Sequence, residues 1–219
     1  QEVALPYIEP SDGVHVEATL VHWDPDAEAK VVTALLYRFA NQSYSQIWDQ
    51  VKAMSSRELE SVIDTALENL GPHDVPVREL ELVDYTFDLL MDYGAYREFK
   101  RHRMQSYIPQ PPTVEQGYLV PALVTDAGLE ADFHQAMGQV ESAFHTMLRE
   151  LPQVAQYLVT HAHKRRVLSK MNLRECYHLF KLRTSPTTHF SLVWVVQRAM
   201  ELAKECHPVL FKHLRLRSD

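Results

Sequence analysis

Glycine is scarce in this chain, at 6 of 219 residues, and no G-x-G-x-x-G or G-x-x-x-x-G-K pattern occurs. The common glycine-rich loops that cradle phosphates are therefore absent. Cysteine is scarcer, with only Cys176 and Cys206. One disulfide between them is conceivable, but two isolated cysteines in a chain this size read as reduced core residues. Cys176 has no C-x-x-C partner and sits on an apolar stripe, which reads as a buried structural thiol. No apolar run approaches the roughly 18 residues a membrane helix needs, and no charged region leads into an apolar one at the start. An excess of basic residues is missing too: 22 Lys and Arg face 29 Asp and Glu, for a net charge of -7. That balance argues against non-specific nucleic-acid binding, so any anion site must be a local basic pocket. A cytoplasmic protein is the expectation.

What is present reads as one α/β domain over residues 1–219 in which helices dominate, without repeats, low-complexity tracts or a clear linker. The chain starts with Gln1 rather than methionine, which is compatible with a piece of a longer polypeptide. Residues 14–21 alternate as a half-buried strand does. Asp24-Pro25-Asp26 then supplies a helix start, with Asp24 as N-cap and Pro25 first. Val31, Leu35 and Phe39 make the stripe of that helix. Further helices are expected over 45–54 and from Ser55, where Ser55-x-x-Glu58 fits a capping box and Gly71 is placed to stop the run. Residues 80–91 read as a long strand with Val83, Tyr85, Phe87 and Leu89 on one side, followed by a short helix over 93–102. Pro109, Pro111 and Pro112 mark a loop. Helices over 129–151, after Pro152, over 173–183 and over 188–206 complete the chain, with a strand over 161–171. Phe190, Val193, Trp194 and Met200 are expected in the core.

Two polar groups carry candidate chemistry. Arg101-His102-Arg103 leaves a helix, where cations complement the dipole as a solvated cap. The same donors could instead clamp a diphosphate, because arginine grips phosphate as a bidentate fork. Asn172, Arg174, His178 and Arg183 form the second group. In a helix, Arg174 and His178 lie one turn apart on one face, and Asn172 and Arg183 share another. His161-x-His163 puts two imidazoles on one side of a strand, but it lacks a third ligand and is followed by Lys164, Arg165 and Arg166, which would repel a metal cation.

Together these groups resemble a known family. Arg101-His102-Arg103-x-x-Ser106, after a strand and a short helix, resembles the RHRxxS signature of flavin-dependent thymidylate synthases (ThyX). Asn172-Leu173-Arg174-Glu175-x-x-His178-x-x-x-Leu182-Arg183 looks like the family's second block. Lys204 to Phe211 resembles its closing segment, and His73-Asp74-x-Pro76 its histidine-containing turn. The resemblance implies a mixed sheet flanked by several long helices, in a homotetramer with flavin held where subunits meet. It also implies methylation of dUMP with methylenetetrahydrofolate, FAD carrying hydride from NADPH. By the same resemblance Arg101, His102, Arg103, Asn172, Arg174 and His178 face the FAD and His73 lies near it. Arg183 matches the arginine that contacts and activates the pyrimidine, and Ser106 belongs to the nucleotide side.

Departures gather on that nucleotide side. The family's Asn-Glu-x-Ser-x-Arg is replaced by Ile108, Pro109, Gln110, Pro111, Pro112 and Thr113. Glu98 stands where the family has glutamine, and Gln156 where it has a phosphate-binding arginine. Two lost arginine–phosphate contacts are worth about 3–6 kcal/mol, roughly 100- to 10,000-fold in affinity. This pattern is similar to the second half of tandem-domain members. Three readings stand: a synthase with an altered substrate loop, a non-catalytic flavin-binding or assembly domain, and a flavoenzyme with another substrate. The partners implied are small nucleotide ligands and a second copy (tetramer or dimer) or a second family domain, with neither nucleic acid nor membrane.

Overall fold

The computed structural model describes residues 17–217. Among them a β-strand, β1 (Ala18–Trp23), leads into helices α1 (Ala27–Tyr37), α2 (Tyr44–Lys52) and α3 (Ser56–Leu67). A 3-10 turn (Arg78–Leu82) precedes β2 (Asp84–Asp92), which runs directly into α4 (Tyr93–Phe99), and β3 (Gln105–Pro109) follows. Then come α5 (Ala122–Asp126), the long α6 (Glu130–Glu150) and the short α7 (Pro152–Ala155). Strand β4 (Lys164–Asn172) runs directly into α8 (Leu173–Arg183), and α9 (Phe190–Cys206) and α10 (Pro208–Phe211) close the order.

The sheet has four strands in the order β1-β2-β4-β3. The α/β class is as expected, but the mixed sheet is not: every pairing is antiparallel. The reason is topological. β2 and β3 run in the same direction, and β4 inserts between them in the opposite one, so neighbours always alternate.

The buried side of the sheet carries Tyr85, Phe87 and Leu89 from β2 with Val167 and Met171 from β4, and Val83 just ahead of β2 joins them. This is the period-two alternation read from the sequence. Helices α8 and α9 cover that face with Leu173, Cys176, Tyr177, Phe180, Leu192, Val196 and Ala203. On the other side Asp88 pairs with Arg166 at 3.2 Å and Asp84 with Lys170 at 2.9 Å. A smaller cluster of Val114, Phe144 and Ala155 lies under α6. Both cysteines are free. No helix of the described residues is long and apolar enough to cross a membrane.

Local expectations fare unevenly. The Ser55–Glu58 capping box forms as read, and Ser43 builds a second one with Gln46. At α1 the cap is Asp26, not Asp24, and no side chain closes it. Asp24 instead accepts from the Asp26 amide, forming a local turn ahead of the helix. Positions 14–16 of the first expected strand lie outside the described residues. Phe39 falls beyond α1 and is 85% exposed, so it does not extend the stripe. Phe190 and Trp194 are exposed as well, their rings packed edge-on against each other, because α9 turns Leu192, Val195, Val196 and Ala199 to the core instead. The proline-rich stretch hides β3, whose end is Pro109 opposite Val167. Proline is tolerated there because β3 is an edge strand, where a missing amide breaks no ladder. His161 and His163 precede β4 rather than sharing one of its faces, and only His163 is buried.

Candidate functional site

Two strand-to-helix junctions of the same kind build the site. Asp92 ends β2 and its Oδ1 accepts from the Ala95 amide at 3.0 Å, capping α4. Asn172 ends β4 and its Oδ1 accepts from the Glu175 amide at 2.8 Å, capping α8. Such caps satisfy helix N-termini that would otherwise carry orphan donors. Asp92 and Asn172 lie at opposite ends of the β2–β4 ladder. The segment after α4 comes to lie along α8, and there the two sequence groups meet.

His102 is the hinge of that meeting. It is 4% exposed, and its Nδ1 lies 2.9 Å from Oε1 of Glu175. Arg183 Nε donates to His102 Nε2 at 2.8 Å. An arginine nitrogen only donates, so Nε2 accepts, and the ring proton sits on Nδ1, where it donates to Glu175. Arg183 also forms an ion pair with Glu98 of α4, whose other oxygen accepts from the His189 amide at 3.0 Å. Burial, and the Arg101 charge nearby, lower the pKa of the Arg183 guanidinium, while Glu98 opposes the shift. A chain Glu175–His102–Arg183–Glu98–His189 thus ties α4 to both ends of α8. Arg101 and Arg103 flank it and are exposed, as is Ser106 on β3.

Beside this chain lies a cavity of about 350 Å³ between the 71–76 loop, the start of α8 and Met104. It is lined by His73, Asn172, Arg174 and His178, four of the residues singled out from sequence. Arg101, His102, Arg103, Ser106 and Arg183 are not among its lining residues. Arg174 fixes the loop over the cavity: its Nε donates to the Pro76 carbonyl and its NH1 to Glu81, both at 2.9 Å. His178 stands 5.3 Å from the His102 ring, and burial pushes its pKa below the ordinary imidazole value.

Sequence reasoning missed Lys181, which is 5% exposed and donates to the Gly71 and Asp74 carbonyls at 3.0 Å each. A signal was available. Arg174, His178 and Lys181 follow the four- and three-residue steps of one helix face. Nothing in the sequence flagged Arg217, which also lines the cavity. The expected sharing of a face by Asn172 and Arg183 does not occur, because Asn172 is the cap, outside the helix, and lines the cavity. Among the described residues no group of three or more His, Cys, Asp or Glu could hold a metal ion.

A second cavity, of about 390 Å³, is bounded by Asp92, Gly94, Phe133, Met137, His161 and His189. The Ser191 hydroxyl there donates to Asp92 and lies 2.9 Å from His189 Nδ1.

Comparison with known proteins bears on these features. Residues 19–209 match the family described as thymidylate synthase complementing protein. A UPF0159 protein of Chlamydia muridarum is 31% identical over 201 residues, covering 90% of this chain and 37% of the relative. A UPF0159 protein of Thermoplasma acidophilum is 30% identical over 184 residues, covering 83% of this chain and 37% of the relative. The chain thus spans little more than a third of the length of these curated relatives. Among solved structures, the UMP/dUMP methylase PolB of Streptomyces cacaoi, bound with 5-Br dUMP, shares the fold with a TM-score of 0.72. The likeness is at 14% identity and covers 90% of this chain and 93% of that one.

Proposed function

Because the chain belongs to the family of thymidylate synthase complementing proteins, we propose that it is a flavin-dependent thymidylate synthase unit that holds FAD in the cavity under the 71–76 loop. The reaction proposed is reductive methylation of dUMP to dTMP, with methylenetetrahydrofolate as carbon donor and NADPH as reductant. The observation that carries the reading is convergence. His73 comes from a loop and Asn172, Arg174 and His178 from the start of α8, yet all of them line one cavity. Its mixed wall suits a ring and sugar with charged phosphates: Val75, Met104 and Tyr177 offer apolar surface, and the imidazoles and the Asn172 amide offer hydrogen bonds.

When bound, the flavin supplies the hydride chemistry, and the protein supplies position and electrostatics. Arg174 holds the loop bearing His73 closed over the cavity. Lowered by burial, the pKa of His178 favours the neutral imidazole, which both accepts and donates. FAD is larger than the drug-sized ligands such a cavity encloses, so residues beyond its lining, such as the exposed Arg101 and Arg103, would be needed to hold all of it.

A second reading is favoured by Arg183. Its guanidinium is engaged by Glu98 and His102 and lines no cavity described above. In that reading the chain completes a flavin site shared with a second copy, in a dimer or tetramer, or with a second family domain, and does not itself turn over dUMP. A flavoenzyme acting on another substrate is the remaining variant.

Titrating FAD into purified protein, read by flavin fluorescence, tests the cofactor. Saturable binding weakened about tenfold by Arg174→Ala is expected; absence of saturable binding overturns the proposal. Calorimetry with dUMP then separates the readings, since tight binding to this chain alone favours the enzyme.

A further inference from the structure

The second cavity lies at the far end of the β2–β4 ladder from the first, where Asp92 faces Lys164 rather than Asp84 facing Asn172. Strands of nine residues put the two ends roughly 25 Å apart, so this is a separate space. Nothing in the proposed reaction uses it. Its volume, about 390 Å³, is in the range of small-molecule sites. Phe133 and Met137, one turn apart on α6, give it apolar wall, together with Phe190 at the start of α9. Its ionisable lining side chains are Asp92, His161 and His189.

Hydrogen bonding fixes what these three groups offer. The Ser191 hydroxyl gives its one proton to Asp92 Oδ2, so its oxygen accepts from His189 Nδ1 at 2.9 Å. In the neutral ring, Nε2 of His189 is then an acceptor. Arg97 donates to His161 Nε2 at 3.2 Å, so the proton of that neutral ring sits on Nδ1. Asp92 is 5% exposed; one oxygen accepts from the Ala95 amide and the other from Ser191, and each keeps a further lone pair. Gly94 shows where two of these acceptors meet. A Cβ there would lie 2.9 Å from Asp92 Oδ1 and 3.2 Å from His189 Nε2, so both atoms border one small space. Gly94 itself lines the cavity and, having no side chain, leaves that space open.

Charge narrows the ligand further. The Asp92 carboxylate disfavours an anion. Lys164, across the ladder from Asp92, and Arg97, hydrogen-bonded to His161, disfavour a cation. The complement is a neutral ring with apolar faces for Phe133, Met137 and Phe190, and with an N–H donor on its edge for Asp92 and His189. We infer that the second cavity binds a neutral, amine-bearing nitrogen heterocycle of the aminopyrimidine or aminopurine kind, held through its exocyclic amine by Asp92 and His189. A ring nitrogen of such a ligand can accept from the His161 Nδ1–H. The inference goes beyond the flavin reading of the first cavity and does not depend on it.

Fluorescence titration with 2-aminopurine, whose emission falls on stacking, tests it. Saturable quenching at one site is expected, with unsubstituted purine competing about tenfold or more weakly because it lacks the amine. His189→Phe keeps a ring but gives up the acceptor, and should lose about tenfold in affinity. Met137→Trp fills the cavity and should abolish binding. Arg174→Ala, at the first cavity, should leave the affinity unchanged, and FAD should not displace the probe. The purine comparison uses the wild-type protein, so it decides even if a variant fails to fold. Absent or non-saturable quenching overturns the inference, as does purine binding as tightly as 2-aminopurine or His189→Phe binding like wild type. Displacement by FAD with loss in Arg174→Ala also overturns it, by assigning the probe to the first cavity. If the probe binds as expected and FAD does not bind, this site stands and the flavin reading falls.

Discussion

Arg183 donates its Nε–H to Nε2 of His102 across 2.8 Å, and that contact fixes the imidazole tautomer. The proton is left on Nδ1 and reaches Glu175, a carboxylate only 6% exposed. His102 therefore acts as a strut between α8 and the segment after α4, and both its ring nitrogens are spent before any ligand arrives.

Replacing His102 by alanine should leave Glu175 buried without its donor and Arg183 without its acceptor. A stability loss of about 2–4 kcal/mol is expected, read by urea unfolding. A loss under about 0.5 kcal/mol would mean that Glu175 has another donor within reach and that the strut is dispensable.

Glu98 engages the Arg183 guanidinium in an ion pair, so Glu98→Gln should loosen it. The neutral amide keeps the shape but gives up the ion pair. Affinity for dUMP is expected to rise about tenfold, since a freed guanidinium can accept a new anionic or carbonyl partner. Equal calorimetric affinities for variant and wild type would show that Glu98 is not what restrains nucleotide binding.

Acid should weaken the fold before its carboxylates titrate. Burial lowers the pKa values of His163 and His207 below the ordinary 6.5. The unfolded chain then binds protons that the native state excludes. Their contribution is complete above about pH 6.5 and is lost as pH falls through the lower folded values. Thermal midpoints should therefore drop between about pH 7 and pH 5, and His207→Asn should reduce the dependence. A flat profile over that window refutes the assignment.

Gly94 offers a test whose sign runs against helix propensity. It lies in α4, where alanine ordinarily stabilises by up to about 1 kcal/mol. Here an added Cβ would sit 2.9 Å from Asp92 Oδ1 and 3.2 Å from His189 Nε2. Gly94→Ala is thus expected to destabilise by about 1–3 kcal/mol, through displacement of the cap and of the Ser191-linked imidazole. A raised melting temperature would show that these side chains move aside freely.

The sequence made some features legible and hid others for identifiable reasons. The Ser55–Glu58 capping box follows a local rule, and the bounds of α8 follow from its contiguous apolar stripe. Strand β3 was obscured because proline argues against strand everywhere except at an edge, and an edge is a tertiary property. Asn172, Arg174 and His178 share one short block of sequence and line one cavity. The triplet Arg101-His102-Arg103 reads as a unit in the sequence, yet the fold divides it. Alternation buries the middle residue and exposes its neighbours, and no spacing rule shows which partner a buried imidazole will find across 73 positions. Lys181 needed only the helix period, whereas Arg217 required the fold.

Strand β4 sits between β2 and β3, and this has a consequence for the order in which the molecule is made. Until residues 164–172 emerge, β2 and β3 have no common neighbour, and each presents an unpaired edge. A nascent or truncated chain ending before β4 is thereby exposed to pairing with other chains. Helix α8 follows β4 without a break, so the strand that protects the sheet also delivers the cavity wall. The strand that joins the sheet and the cavity wall therefore become available together as the chain is made, and a mutation that slows β4 docking is expected to delay both.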